Sequence, residues 1–230
     1  WGQKYADTLF ISDIKTKNEA PKKYKIDTLL YNGHSSEKID LVFLSEGYTR
    51  EEMGKYVADA KRMAQFLLNF QPFNGFQDKF NLYAIQVPSV ESGADEPEIG
   101  ILKNTAFNAT WNTFESERYL TTSDMLQISN AADEVSWDHI AIIVNSARYG
   151  GGGFYNWLSI FSSDHQQSEL VFIHEFGHAF AGLADEYYYN SDIEDTTYPI
   201  TIEPWEPNIT TLVQFDKKWK GSILHETPLP

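Results

Sequence analysis

Two histidines and a glutamate, His174-Glu175-Phe176-Gly177-His178, are the residues of this chain whose types and spacing best suit chemistry. On a helix, residues four apart lie one turn from each other on the same face, so both imidazoles can reach a single ion. Glu175, beside the first histidine, is placed to act on a water held by that ion without becoming a ligand. Metal-assisted amide hydrolysis needs that division of labour. The competing reading is that the histidines are ordinary core or surface residues and the glutamate is solvated. A chance occurrence of the pattern in a chain with so few histidines is of the order of one per cent. The surrounding run, Leu170 to Phe180, is strongly apolar, as expected of a helix at the bottom of a cleft, and such a helix does not carry three polar groups without partners.

A third ligand must come from beyond the helix. Were the helix to run on, Asp185 would lie about 10.5 Å past His178 along the axis, too far to share an ion bound at about 2.0 to 2.2 Å per ligand. Gly182 is suited to end the helix in a left-handed conformation and turn the chain back, which could bring Asp185 under the ion.

These residues need a frame. Ile39 to Leu44 reads as a buried strand, and Thr49 with Glu52 forms a capping box ahead of Met53, Tyr56, Val57, Ala60, Met63, Ala64 and Leu67 at helical spacing. Phe80 to Val87 is a second strand stopped by Pro88, followed by a loop through Gly100. A helix falls between Glu115 and Ala132, and His139 to Val144 is a third strand. Arg148-Tyr-Gly-Gly-Gly-Gly153 reads as a flexible loop, as a hinge or a close approach of backbone; it lacks the Gly-Lys-Ser/Thr ending of a phosphate loop. Tyr155 to Phe161, including Tyr155, Asn156 and Trp157, has the composition of an edge strand to which an extended peptide could add; an interior strand is the alternative. Ser168 is expected to cap the histidine helix. Strands alternating with helices predict an α/β architecture with a mixed sheet. Residues 1–38 show no sustained periodicity and read as an entry strand or an extension packed on the remainder of the chain.

Composition bounds the function. The 230 residues are 42% hydrophobic and 22% charged, the balance of a folded chain able to bury an ordinary core. Eighteen Lys and Arg against 33 Asp and Glu give a net charge of −15, which disfavours nucleic acid as a partner. Apolar stretches fall far short of the roughly 20 residues needed to span a bilayer. The absence of cysteine removes thiolate metal sites, cysteine nucleophiles and disulfides while leaving the compartment open. A chain that opens at Trp1 without an apolar leader has lost a signal or anchor, or never had one.

The stretch from His174 through Gly182-Leu-Ala-Asp185-Glu-Tyr187 resembles the signature of the bacterial M64 metallopeptidases, the family named for immunoglobulin A peptidase. Asp40 to Tyr48, Ser89 to Asp95, Asn145 with Tyr149-Gly-Gly-Gly152, and Glu206-Pro-Asn208 ahead of Lys218-Trp-Lys220 resemble that family's other blocks, in the same order. The resemblance implies a zincin-like α+β fold and a zinc endopeptidase related to the metzincins. His174, His178 and Asp185 would hold one catalytic Zn2+, Glu175 would be the general base, and the partner would be a protein or peptide substrate. Glu186 remains an alternative third ligand. Residues 39–230 would form a single catalytic domain, and the protein would work outside the cytoplasm. The glycine and third ligand each lie one place later than in the commoner metzincin string. Met53, Met63 and Met125 all precede His174, so a methionine turn after the site helix is either built without Met or lies beyond the chain. The ending at Pro228-Leu-Pro230 favours the second.

Around that site, Tyr187, Tyr188 and Tyr189 are candidate donors to a developing oxyanion, and packing residues otherwise. Asp192, Glu194 and Asp195 lack the pattern of a calcium loop and read as a solvated acidic turn. A zinc-containing binding module that has lost turnover is the non-enzymatic alternative. It would need a fourth protein ligand, for which His165 and His225 are the candidates.

Overall fold

The computed structural model describes residues 23–186, 198–224 and 226. Six strands form one mixed sheet in the order β1-β3-β2-β4-β6-β5. They are β1 (Lys25–Leu30), β2 (Ile39–Glu46), β3 (Phe80–Gln86), β4 (His139–Val144), β5 (Gly151–Phe154) and β6 (Leu158–Ser162). The four central strands are parallel, with Leu41 opposite Leu82 on one side and His139 on the other, and Ile142 opposite Ile160. The outer strands, β1 on β3 and β5 on β6, run antiparallel.

Strand alternation divides the core between the two faces of the sheet. Leu41, Phe43, Ala141, Ile143 and Phe161 point to one face. There they meet α1 (Met53–Asn69), through Tyr56, Ala60, Met63 and Leu67, and α3 (Ser168–Ala181), through Phe172 and Phe176. Val42, Leu44, Ile140, Ile142 and Ile160 point to the other. That face is covered by α2 (Met125–Ala132) and by the excursion carrying Phe107, Trp111 and Leu120. A four-residue helix, α4 (Phe215–Lys218), is the one helix in an otherwise irregular described C-terminal part.

Helix α1 begins as the sequence predicts. The Thr49 backbone N–H donates to Glu52 Oε2 at 2.8 Å, and a short 3-10 turn at Arg50–Glu52 leads into the α-helix. An ion-pair network then joins α1 to the start of α3. Lys55 reaches Asp59 and Asp164, each at 2.9 Å, and Arg62 spans Asp59 at 3.0 Å and Glu169 at 2.6 Å. Arg62 also donates to the Ser163 carbonyl at 2.7 Å.

Three local expectations are corrected. The glycine run is not a flexible loop, because Gly151–Phe154 pairs along its length with β6 and forms the edge of the sheet. Tyr155 to Phe161 is not that edge: Tyr155, Asn156 and Trp157 form the turn of the β5–β6 hairpin, with Asn156 at φ 58°, and the remainder belongs to interior strand β6. Gln167, rather than Ser168, is the N-cap position of α3, while Ser168 is its first residue and keeps a buried hydroxyl without a partner.

His139, at the start of β4, is buried against the rings of Phe176 and Phe180, with Nε2 3.3 Å from Ser159 Oγ. Burial pushes its imidazole from 6.5 down to about 4. The unfolded chain therefore takes up this proton first as pH falls, and between these values the group removes about 1.4 kcal/mol of stability per pH unit. His139→Leu is expected to flatten the stability curve by one proton's slope between pH 6.5 and 4, measured by urea unfolding.

Candidate metal centre

Helix α3 presents His174 and His178 on one face, as their spacing requires, with Nε2 atoms 3.0 Å apart. The helix stops at Gly182, which adopts φ 64°, ψ 32° and donates its N–H to the His178 carbonyl at 3.0 Å. This left-handed cap turns the chain under the helix face. Asp185 Oδ1 consequently lies 3.1 Å from both Nε2 atoms. Among the described residues, these three form the one group of histidine and acidic side chains able to hold a metal ion, with ligand atoms within 4.8 Å of one another.

The donor set fits a small divalent cation. Three ligand atoms on one face of a tetrahedron, each about 2.0 to 2.1 Å from a central zinc, are separated by about 3.3 Å. The observed triangle of 3.0, 3.1 and 3.1 Å is close to that face. The His178 Nδ1–H donates to the Leu183 carbonyl, which turns Nε2 toward the other two ligand atoms. The neighbouring imidazoles of His174 and His178 hold the Asp185 carboxyl well below the usual carboxylate range. The same carboxylate is the first cause raising His178 to about 9.

The turn that carries Asp185 is held from the C-terminal part. Asn208 Oδ1 accepts from the Ala184 N–H, and its Nδ2 donates to the Ala184 carbonyl and to Glu186 Oε1, all at 2.8 Å. Glu186, the alternative third ligand, is thus turned toward Asn208 and away from the imidazoles. Asn208 stands in the Glu206-Pro-Asn208 block, but nothing in its local sequence signals this clamp, because its partners are backbone atoms more than twenty residues away.

Glu175 sits between α3 and the edge strand. Burial raises its carboxyl to about 7, against lowering contributions from His174, His178 and Arg118. Gly151 and Gly153 of β5 permit this approach. A Cβ at Gly151 would lie 2.8 Å from Glu175 Cγ, and one at Gly153 would lie 2.6 Å from the Glu175 carbonyl oxygen and 2.8 Å from His178 Cβ. Two cavities flank Glu175: one of about 510 Å³ lined by Arg118, Tyr149, Gln167 and Leu170, and one of about 450 Å³ lined by Phe114, Tyr155, Asp185 and Trp205.

The other sequence-derived candidates are scattered. Tyr155 lines the second cavity and packs on Trp205 with ring centroids 4.9 Å apart. Asn156 N–H is bound to the Ala179 carbonyl at 2.7 Å, and Trp157 packs on Phe154 away from the cluster. His165 packs on Tyr149 and stands outside the metal group. Tyr187, Tyr188, Tyr189, Asp192, Glu194, Asp195 and His225 lie outside the described residues. Tyr198, not singled out in the sequence, lines the second cavity and donates to Glu206 Oε1 at 3.1 Å.

Helix α3 and the turn after it, packed on a mixed sheet, bring two histidines and one carboxylate together beside a half-buried glutamate as a candidate metal centre. The family description IgA Peptidase M64 matches residues 28–230, and the chain belongs to that peptidase family. No curated protein matches the chain. Among the described residues, no helix is long and apolar enough to cross a membrane.

Gly153→Ala forces a Cβ onto helix backbone that cannot move aside. It is expected to cost about 1 to 3 kcal/mol of stability in denaturant unfolding, as for other overpacked sites. Gly54→Ala, where the added Cβ meets nothing within 4 Å, is the control that should lose none.

Proposed function

We propose that this chain is a zinc-dependent endopeptidase in which His174, His178 and Asp185 hold the ion and Glu175 is the general base. The observation that carries the reading is the 3.0 to 3.1 Å triangle of ligand atoms with Glu175 next to His174 on the same helix. Zinc bound there would supply Lewis acidity, polarising the scissile carbonyl and lowering the pKa of water. Glu175 removes the proton from the water that attacks the carbonyl carbon. It then delivers that proton to the departing amine nitrogen as the C–N bond breaks, so protons balance and no covalent enzyme intermediate is formed. A carboxyl raised by burial suits both halves of that task, since it binds and releases a proton near neutrality. The cleft continues on both sides of Glu175, which suits a substrate extending in both directions from the scissile bond.

Metal analysis of the purified protein should find about one zinc per chain, and cleavage of casein should be abolished by a chelator and restored by zinc. Glu175→Gln should retain the zinc while lowering kcat by roughly 10²- to 10⁴-fold, the usual contribution of a general base. Asp185→Ala should lose the metal. Zinc without chelator-sensitive cleavage would identify a binding module instead, and a protein without stoichiometric zinc would overturn both readings.

A further inference from the structure

We propose that the cavity beside Asp185 selects substrates by a large apolar or aromatic side chain near the scissile bond, and that Phe114 is the residue that reads it. The identity of the ligand as a peptide rests on the peptidase reading above; the chemistry of the pocket does not.

The loop carrying Phe114 is strained in a way its own packing does not explain. Asn112, Phe114 and Glu115 all adopt left-handed backbone, with φ of 58°, 57° and 60°. Asparagine tolerates that region, but a bulky aromatic residue there is an outlier, and such outliers cluster at ligand clamps. The base of the loop is tied down: Thr113 Oγ1 and Thr121 Oγ1 are 2.6 Å apart, and the Ser116 and Tyr119 N–H groups close turns at 3.2 and 3.0 Å. Yet the Phe114 side chain is not buried in return. It is 87% exposed, in edge-to-face contact with Tyr119 at 6.5 Å. The folded chain holds an unfavourable backbone in order to present an apolar ring to water.

That ring is not solitary. Phe114, Tyr119, Tyr155, Trp205 and Leu183 line the same cavity of about 450 Å³ as His174, His178 and Asp185. All five are substantially exposed. Scattered apolar side chains on a surface need no explanation, but a concave cluster against a candidate metal centre does. The polar groups present do not suit an acidic guest. Glu206, the acidic group on this wall, receives the Tyr198 hydroxyl on Oε1, and its Oε2 is buried out of reach. Together with Asp185 and the net charge of −15, it disfavours an acidic side chain. Flat aromatic faces favour phenylalanine, tyrosine or leucine. A basic side chain stacking on the rings is the competitor that the test must separate.

The test uses binding, so that it does not depend on turnover. Blocked pentapeptides with Phe, Leu, Ala, Arg or Glu at the centre of an alanine host are titrated calorimetrically into the zinc-loaded full chain carrying Glu175→Gln. The Phe and Leu peptides should bind at least about tenfold tighter than the Ala peptide, the effect of burying one large apolar side chain. Adding Phe114→Gly, which accepts the left-handed backbone while removing the ring, should bring that ratio to within about threefold of one. Phe114→Leu should restore most of it. Equal affinities for Phe and Ala, tightest binding of Arg or Glu, or a ratio unchanged by Phe114→Gly would each overturn the inference. A protein that prefers Phe peptides yet cleaves nothing without the Glu175 substitution keeps this inference and loses the peptidase reading. One that cleaves casein with no apolar preference loses this inference alone.

Discussion

A carboxylate oxygen 3.1 Å from two imidazole nitrogens can be reached only if the helix bearing those imidazoles ends within one turn of the second. The left-handed residue at Gly182 supplies that ending, and the clamp of Asn208 on the backbone of Ala184 holds the returning chain in place. The candidate metal centre depends on this short reversal. Without it, Asp185 would continue along a helix and the two histidines would face solvent with no anionic partner. The electrostatic signs agree: the imidazoles depress the Asp185 carboxyl, and Asp185 in turn raises His178.

The second requirement is contact between the sheet edge and the site helix. Ordinary side chains on an edge strand would hold α3 a side chain's width away, and Glu175 would point into open water. Glycine at 151 and 153 removes that spacing, so that the backbone of β5 is itself the wall against which Glu175 rests. Desolvation by this wall is what raises the Glu175 carboxyl. The packing choice and the proton chemistry are therefore one feature.

Much of this can be read from sequence because it is local. Histidine spacing, the helix-ending glycine and the strands at Ile39 and His139 each follow from a few consecutive residues, and the structure has them close to those positions. Helix geometry and Gly182 point to a reversal of the chain, whereas the choice of Asp185 over Glu186 rests on Asn208, which holds Glu186 from a distant part of the chain. The features that escape a sequence reading are non-local. Glycine carries almost no strand preference of its own, so Gly151 to Gly153 read as a loop or a close backbone approach; that they form a strand, and that the site helix is what approaches them, is set by partners elsewhere in the chain. The apolar stretch after them reads as the edge for the same reason, because lateral order in a sheet is set by crossovers that local composition does not encode. Phe114 and Asn208 carry no local signal, since one is defined by backbone strain and the other by distant backbone partners.

The ion pairs between α1 and α3 have a mechanical meaning. Glu169 fastens the beginning of the site helix to Arg62, while the Ala179 carbonyl near its end is fastened to the β5–β6 hairpin through Asn156. The site helix is thus tied to α1 at its start and to the β5–β6 hairpin near its end. The opposite bank is held differently: there Phe114 stands on a left-handed backbone, so the wall that meets a guest is set by backbone conformation.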